Sequence, residues 1–207
     1  MEYIKTYSGK TEEAVINQII EEKECSEEDI FLTLKEEKKG VLGLGSTLTY
    51  EAYTIEDVKE FIFNYLGNFF MESDIEVTIE IKTNQEKEFL VNIEAEKTAQ
   101  IIGKNGNTIN AINKVVRTAC NRTFKNRFEI LVDTGNYKEE RYRKVTKLAI
   151  NLAKKVTRTK VDVELDRLSS DERKTIHKKL ENFNNIETVS IGEGSDRKLV
   201  IKYKRED

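Results

Sequence analysis

A strict two-residue alternation commits the middle of this chain to a β-hairpin. Ile75, Val77, Ile79 and Ile81 alternate with Glu76, Thr78, Glu80 and Lys82. Asn84-Gln85-Glu86 makes a polar turn, and Glu88 to Ala95 alternates again with Phe89, Val91 and Ile93 on one side. Around the hairpin the period changes to that of a helix. Over residues 54–71, Val58, Phe61, Ile62, Tyr65, Leu66, Phe69 and Phe70 form an apolar stripe. It starts behind Thr54, a candidate cap, with Asp57 at the third helical position. The stripe reads as core, not as a base-stacking platform. After the hairpin come a short helix over Thr98 to Ile102, a longer one over Thr108 to Thr123, and an alternating strand at Phe128, Ile130 and Val132.

The two consecutive helices are joined by Gly103-Lys104-Asn105-Gly106. From Lys97 to Phe128 there are seven Lys/Arg and no Asp or Glu, in a chain of net charge −3. Such a segment calls for a negative partner. Glycine lets a backbone pass close to a phosphate. The amides of Asn107 and Thr108 begin a helix, and a helix N-terminus favours anions. Lys104 adds a flexible point charge. The long helix turns Ile109, Ile112, Val116, Ala119 and Cys120 inward, while Lys114, Arg117 and Arg122 project elsewhere. Ile102, Ile109 and Ile112 are the expected floor of a groove for unstacked bases.

The element order over 54–134, with this Gly-x-x-Gly turn, resembles a KH domain of the type II arrangement, αββααβ. KH domains clamp about four nucleotides of a single strand. The resemblance implies an RNA-binding set of Ile102, Gly103, Lys104, Asn105, Gly106, Asn107, Thr108 and Arg117.

Ahead of it, residues 1–53 read as a βαββ-like module. A short strand over 2–8 precedes a helix from Thr11 with Ala14, Val15, Ile19 and Ile20 as its stripe, ending near Glu24. Asp29 to Lys35 reads as a strand, and Leu48, Tyr50 and Ala52 alternate as a closing one. Between them lies Lys38-Lys39-Gly40-Val41-Leu42-Gly43-Leu44-Gly45. A phosphate loop would need a lysine between Gly45 and Ser46, and the Rossmann spacing also fails, so this is a structural turn.

Residues 135–207 begin with a long basic helix over 137–160. Tyr142, Val145, Leu148, Ala149, Leu152, Ala153 and Val156 form its stripe, and residues 138–160 hold nine Lys/Arg against two Glu, read as a solvated face. A short strand over 161–165 follows. Ser169 and Glu172 have capping-box spacing. The helix behind them buries Ile176, Leu180 and Phe183, and strands follow at Thr188 to Ile191 and Lys198 to Tyr203. Arg173 and His177, four apart, share a helix face. Arg-x-x-x-His at the head of a helix between short strands resembles the small nucleic-acid-binding domain named for that pattern. The resemblance implies that Arg173 offers a planar fork to phosphate, and His177 a ring-nitrogen donor or a stacking face.

Local charge bears on function more than the whole-chain value does. Residues 1–53 carry −6, residues 54–134 carry −3 and residues 135–207 carry +6. Two distant cysteines, Cys25 and Cys120, suit a reducing cytosol and exclude a Cys-rich zinc site. One histidine excludes a multi-His metal site. No run of 18 apolar residues suggests a transmembrane helix, and Met1 to Lys5 does not open a secretory signal. The chain is expected to be cytoplasmic and to need no cofactor.

The three parts in this order resemble the bacterial Jag family, also called KhpB or SpoIIIJ-associated proteins, whose N-terminal signature the 38–45 stretch resembles. Members often carry a long charged linker after the first module; here only Glu51–Thr54 intervenes, which counts against independent motion of that module. The resemblance implies an α+β protein of three small modules that binds single-stranded RNA, with single-stranded DNA as the alternative, and has no enzymatic activity. It implies an RNA chaperone or post-transcriptional regulator linked to cell division, cell shape and envelope homeostasis. A small KH-only protein is the implied partner. The runner-up function is an interaction scaffold whose KH domain serves as a homodimer surface. An enzyme ranks third, since no catalytic set is marked by spacing.

Overall fold

The computed structural model describes residues 3–39, 46–84, 86–166 and 168–204, and they form three three-stranded sheets. The glycine stretch 40–45 lies outside them. Two compact units divide the chain, Met1–Asp133 and Thr134–Asp207.

The first unit opens with β1 (Lys5–Gly9), α1 (Glu12–Lys23), β2 (Ile30–Lys39) and β3 (Ser46–Thr54), in an antiparallel sheet of order β1-β3-β2. Thr11 caps α1 by accepting the Ala14 amide. Glu24, in the left-handed region at φ 52°, ends it. Val15 and Ile19 pack on Tyr7, Tyr50 and Ala52. Strand β2 runs four residues beyond the predicted Lys35. A register shift between Leu34 and Glu36 breaks the alternation by which the strand would have been read to its end.

No linker separates β3 from α2 (Ile55–Glu72): Thr54 is both the last residue of the strand and the helix N-cap. The expected capping box is present. Thr54 accepts the Asp57 amide, and the Asp57 carboxylate accepts the Thr54 amide at 2.8 Å. That carboxylate also receives Lys23 Nζ from the end of α1 at 2.6 Å. An aromatic seam runs beside it. Phe31 stacks on Tyr53 with ring centres 5.0 Å apart and meets Phe128 edge-on at 5.4 Å. Tyr53 lies 4.7 Å from Phe124, and Tyr3 meets Phe61 edge-on at 5.4 Å. Each such pair contributes about 0.5–1.5 kcal/mol beyond its burial.

The unit continues through β4 (Val77–Thr83), β5 (Phe89–Ala95), α3 (Thr98–Ile102), α4 (Asn107–Phe124) and β6 (Ile130–Asp133). The sheet order is β4-β5-β6. The predicted hairpin pairs Val77 with Ala95 through to Thr83 with Phe89, whereas β5 and β6 are parallel. Parallel neighbours need a crossover, and here the crossover is α3, the Gly-x-x-Gly turn and α4. Val58, Ile62, Leu66 and Phe70 from α2 are buried, as are Ile109, Val116 and Cys120 from α4. Phe69, expected in the stripe, is 43% exposed on the last turn of α2. Burial alone pushes the Cys120 thiol up to about 12.

The second unit contains α5 (Tyr137–Thr159), β7 (Val163–Leu165), α6 (Ser170–Leu180), β8 (Ile186–Ile191) and β9 (Lys198–Tyr203), with an antiparallel sheet of order β7-β9-β8. Val145, Ala149, Ala153 and Val156 of α5 join Ile176, Leu180, Leu199 and Ile201 in the core. Leu148, predicted to belong to the stripe, is instead 52% exposed. It falls outside the narrow arc that these four residues define. The expected capping box of α6 forms between Ser169 and Glu172. Glu172, 3% exposed, also accepts Arg141 Nε from α5 at 2.6 Å. The α+β class and the element orders read from the sequence are those observed.

Candidate nucleic-acid interface

The parallel crossover places the Gly103–Gly106 turn between two helices and shapes it by backbone geometry. Gly103, at φ 68° and ψ −179°, occupies a region essentially reserved for glycine. Its amide closes α3 on the Ala99 carbonyl at 2.9 Å. Asn105 at φ 55° and Gly106 at φ 79° are both left-handed, and α4 starts at the next residue. Lys104, Asn105, Asn107 and Thr108 are exposed, while Gly106 is buried. The N-cap of α4 is Gly106, which has no side chain to cap the first turn, and the positive helix end lies among exposed Lys104, Asn107 and Thr108.

Two expectations change here. The Asn107 amide donates to the Lys104 carbonyl, so one of the two amides offered to an anion is already used inside the turn. Ile109 and Ile112 are 0% and 7% exposed and belong to the core. Of the expected apolar floor, only Ile102 remains half-buried at the surface. A helix this amphipathic gives its apolar side to the sheet it crosses, which leaves those isoleucines no groove to line. Arg117 lies on α4 beyond the turn, and its guanidinium reaches Glu129 at 3.3 Å. Both partners are well exposed, so the pair contributes little and separates readily.

In the second unit, Arg173 and His177 share the expected face of α6, and each is held. Arg173 donates to the Leu168 carbonyl at 2.7 Å and to the Arg197 carbonyl at 3.4 Å. His177 Nδ1 hydrogen-bonds with Thr188 Oγ1 at 2.6 Å, and Nε2 with Ser190 Oγ at 3.2 Å. Both ring nitrogens are thereby engaged with β8. Burial first, then the Arg173 and Arg197 charges, hold the imidazole below its ordinary value of 6.5. Sequence reasoning missed the two hydroxyls. Their signal was available: Thr188 and Ser190 are two apart on a strand and so share one face.

Among the described residues no group of three or more His, Cys, Asp or Glu is placed to hold a metal, and no helix is long and apolar enough to cross a membrane.

Residues 59–132 match the KhpA/KhpB KH domain family, and residues 143–203 match the family of the Arg-x-x-x-His domain. The chain is 32% identical to the RNA-binding protein KhpB of Clostridium symbiosum over 205 residues, which are 98% of this chain and 92% of that one. It belongs to the KhpB family. The RNA-binding protein KhpB of Bacillus subtilis (strain 168) is also 32% identical, over 209 residues covering 97% and 98% of the two chains. That of Lactiplantibacillus plantarum is 31% identical over 115 residues, 56% of this chain and 36% of that protein. Within the KhpB frame, the KH match takes in the hairpin, the Gly103–Gly106 turn and all of β6 but its last residue, Asp133. The Arg-x-x-x-His match takes in both Arg173 and His177.

Proposed function

We propose that this protein binds single-stranded RNA without catalysing a reaction on it, and acts as an RNA chaperone or post-transcriptional regulator. The observation that carries the reading is the Gly103–Gly106 turn. It presents exposed Lys104 and Asn105 at an uncapped helix end, within a stretch of seven cations and no acid. The KH site holds the strand through Ile102, Gly103, Lys104, Asn105, Gly106, Asn107 and Thr108, with Arg117 released from Glu129 on binding. The face of Arg173 and His177 contacts the strand separately. Two modest sites on one chain then raise affinity through effective concentration. Names of relatives support RNA over DNA, and family resemblance supports a cytoplasmic role in cell division, cell shape and envelope homeostasis alongside a small KH-only partner.

The test is binding of a short single-stranded RNA and its DNA counterpart across a salt series. Lys104→Asp/Asn105→Asp should weaken RNA binding sharply. Wild type should show a salt slope of about −0.7 per phosphate neutralised. Unchanged affinity in the variant sinks the KH assignment.

A second reading, a scaffold that dimerises through the KH domain, draws on one observation. Phe63 and Met71, 50% and 73% exposed, border an apolar groove beside the sheet-edge strand β4. Protein that stays dimeric after ribonuclease treatment, and carries no nucleic acid when purified, would favour it.

A further inference from the structure

The face of α6 next to Arg173 and His177 borders an open groove of about 980 Å³, whose other wall is α5. Lys174 and Lys178 follow Arg173 and His177 by one position each, which turns them about 100° around the helix. They therefore face α5, while His177 faces β8 and Arg173 reaches the Leu168 and Arg197 carbonyls. Across the groove stand Arg143 and Lys147, also four apart, and Lys179 completes the rim. All five cations are exposed, and among the described residues Glu139 is the one acid lining the groove. Arg141 and Lys144 of α5 are held in ion pairs, whereas among the described residues none of these five is. Between the rows the floor holds half-buried Tyr142 and Ile150.

A rim of cations in rows with steps of about 5–6 Å, over a floor with a ring and an aliphatic side chain, is the chemistry of a single-strand channel. The cations track phosphates while bases lie on the apolar floor. A simple solvated face would not need the rows to confront each other across a cleft. An acidic peptide would use the rim and leave the ring idle.

We propose that the α5–α6 groove is a further binding site for single-stranded RNA, in which Arg143, Lys147, Lys174, Lys178 and Lys179 take the phosphodiester backbone and Tyr142 stacks on a base. The site rests on the RNA-binding reading above and is distinct from both the Gly103–Gly106 turn and the Arg173/His177 face.

The experiment uses the full chain and a fluorescent single-stranded RNA across a salt series. Lys147→Glu/Lys178→Glu should weaken binding by about tenfold or more at low salt. Lys147→Gln/Lys178→Gln, a milder pair that checks against misfolding, should make the salt slope shallower by about 1.4, two cations' worth. Ultraviolet crosslinking of wild type should attach RNA to the peptide containing Tyr142. If Lys104→Asp/Asn105→Asp loses RNA while both groove pairs keep wild-type affinity and slope, the groove proposal is overturned and the KH reading stands. If wild type binds no RNA, both fall together. Displacement of a polyglutamate peptide from wild type but not from the groove variants, with RNA binding unchanged, overturns it in favour of an acidic protein.

Discussion

Oγ1 of Thr108 stands where a side chain on Gly103 would have to go: an ideal Cβ built on Gly103 lies 2.0 Å from that oxygen and 2.7 Å from Thr108 Cβ. The first glycine of the turn is therefore required twice, by space and by its φ of 68°.

Gly103→Ala should destabilise the first unit by about 1–3 kcal/mol, the usual cost of forcing a side chain into such a backbone region. Urea unfolding of Gly103→Ala, Thr108→Gly and the double variant separates the two causes. In the Thr108→Gly background the side-chain collision is gone, leaving the φ cost and a tight approach to the Thr108 amide nitrogen at 3.1 Å, so the alanine should cost less there. Equal costs in both backgrounds would mean that space plays no part.

The two capping boxes offer a matched comparison. In each, the acid at the third helical position is nearly buried and is held by a cation from an earlier helix: Lys23 to Asp57, and Arg141 to Glu172. Asp57→Ala and Glu172→Ala should each cost about 2–4 kcal/mol, a lost cap plus a cation left without its partner. Lys23→Ala should cost less than Asp57→Ala, because the cap survives it. Chemical denaturation of the four single variants, including Arg141→Ala, checks this. A lysine variant as damaging as the aspartate variant would show that the ion pair, not the cap, dominates.

His177 is the sole histidine, so its titration can be read without assignment. Its ring signals should titrate with a midpoint below 6.5, and Arg173→Ala should raise that midpoint by removing a positive neighbour. The sign for stability follows from the depressed value. Below pH 6.5 the unfolded chain takes up the proton before the folded one does. The contribution is thus complete above pH 6.5 and is lost as pH falls through the folded midpoint. His177→Gln should flatten the stability profile in that window, and a midpoint at or above 6.5 would contradict the arrangement.

What could be read from the chain, and what could not, divides along sequence distance. Both capping boxes were legible because Thr54 with Asp57 and Ser169 with Glu172 are local patterns. The hairpin and the crossover helices were legible from period alone. The cations that complete the caps were not, since Lys23 is 34 positions from Asp57 and Arg141 is 31 from Glu172, and nothing local links them. The Gly-x-x-Gly turn was found, but not that its Asn107 amide would be used internally. Ile109 could be placed on the apolar side of α4, yet period does not distinguish the floor of a groove from the middle of a core. Leu148 shows the same limit from the other direction: an apolar residue near the edge of a stripe is covered only if the neighbouring sheet reaches that far.

Thr54 belongs at once to the last strand of one sheet and the first turn of the helix that serves the next. A junction made of a shared residue gives recombination no seam to cut. A fragment trimmed to the KH match, 59–132, would begin inside α2, without its cap, its Asp57 or the Tyr53 ring that covers Phe124. An intact α2, and with it the packing behind the KH turn, therefore draws on residues that lie ahead of the KH match.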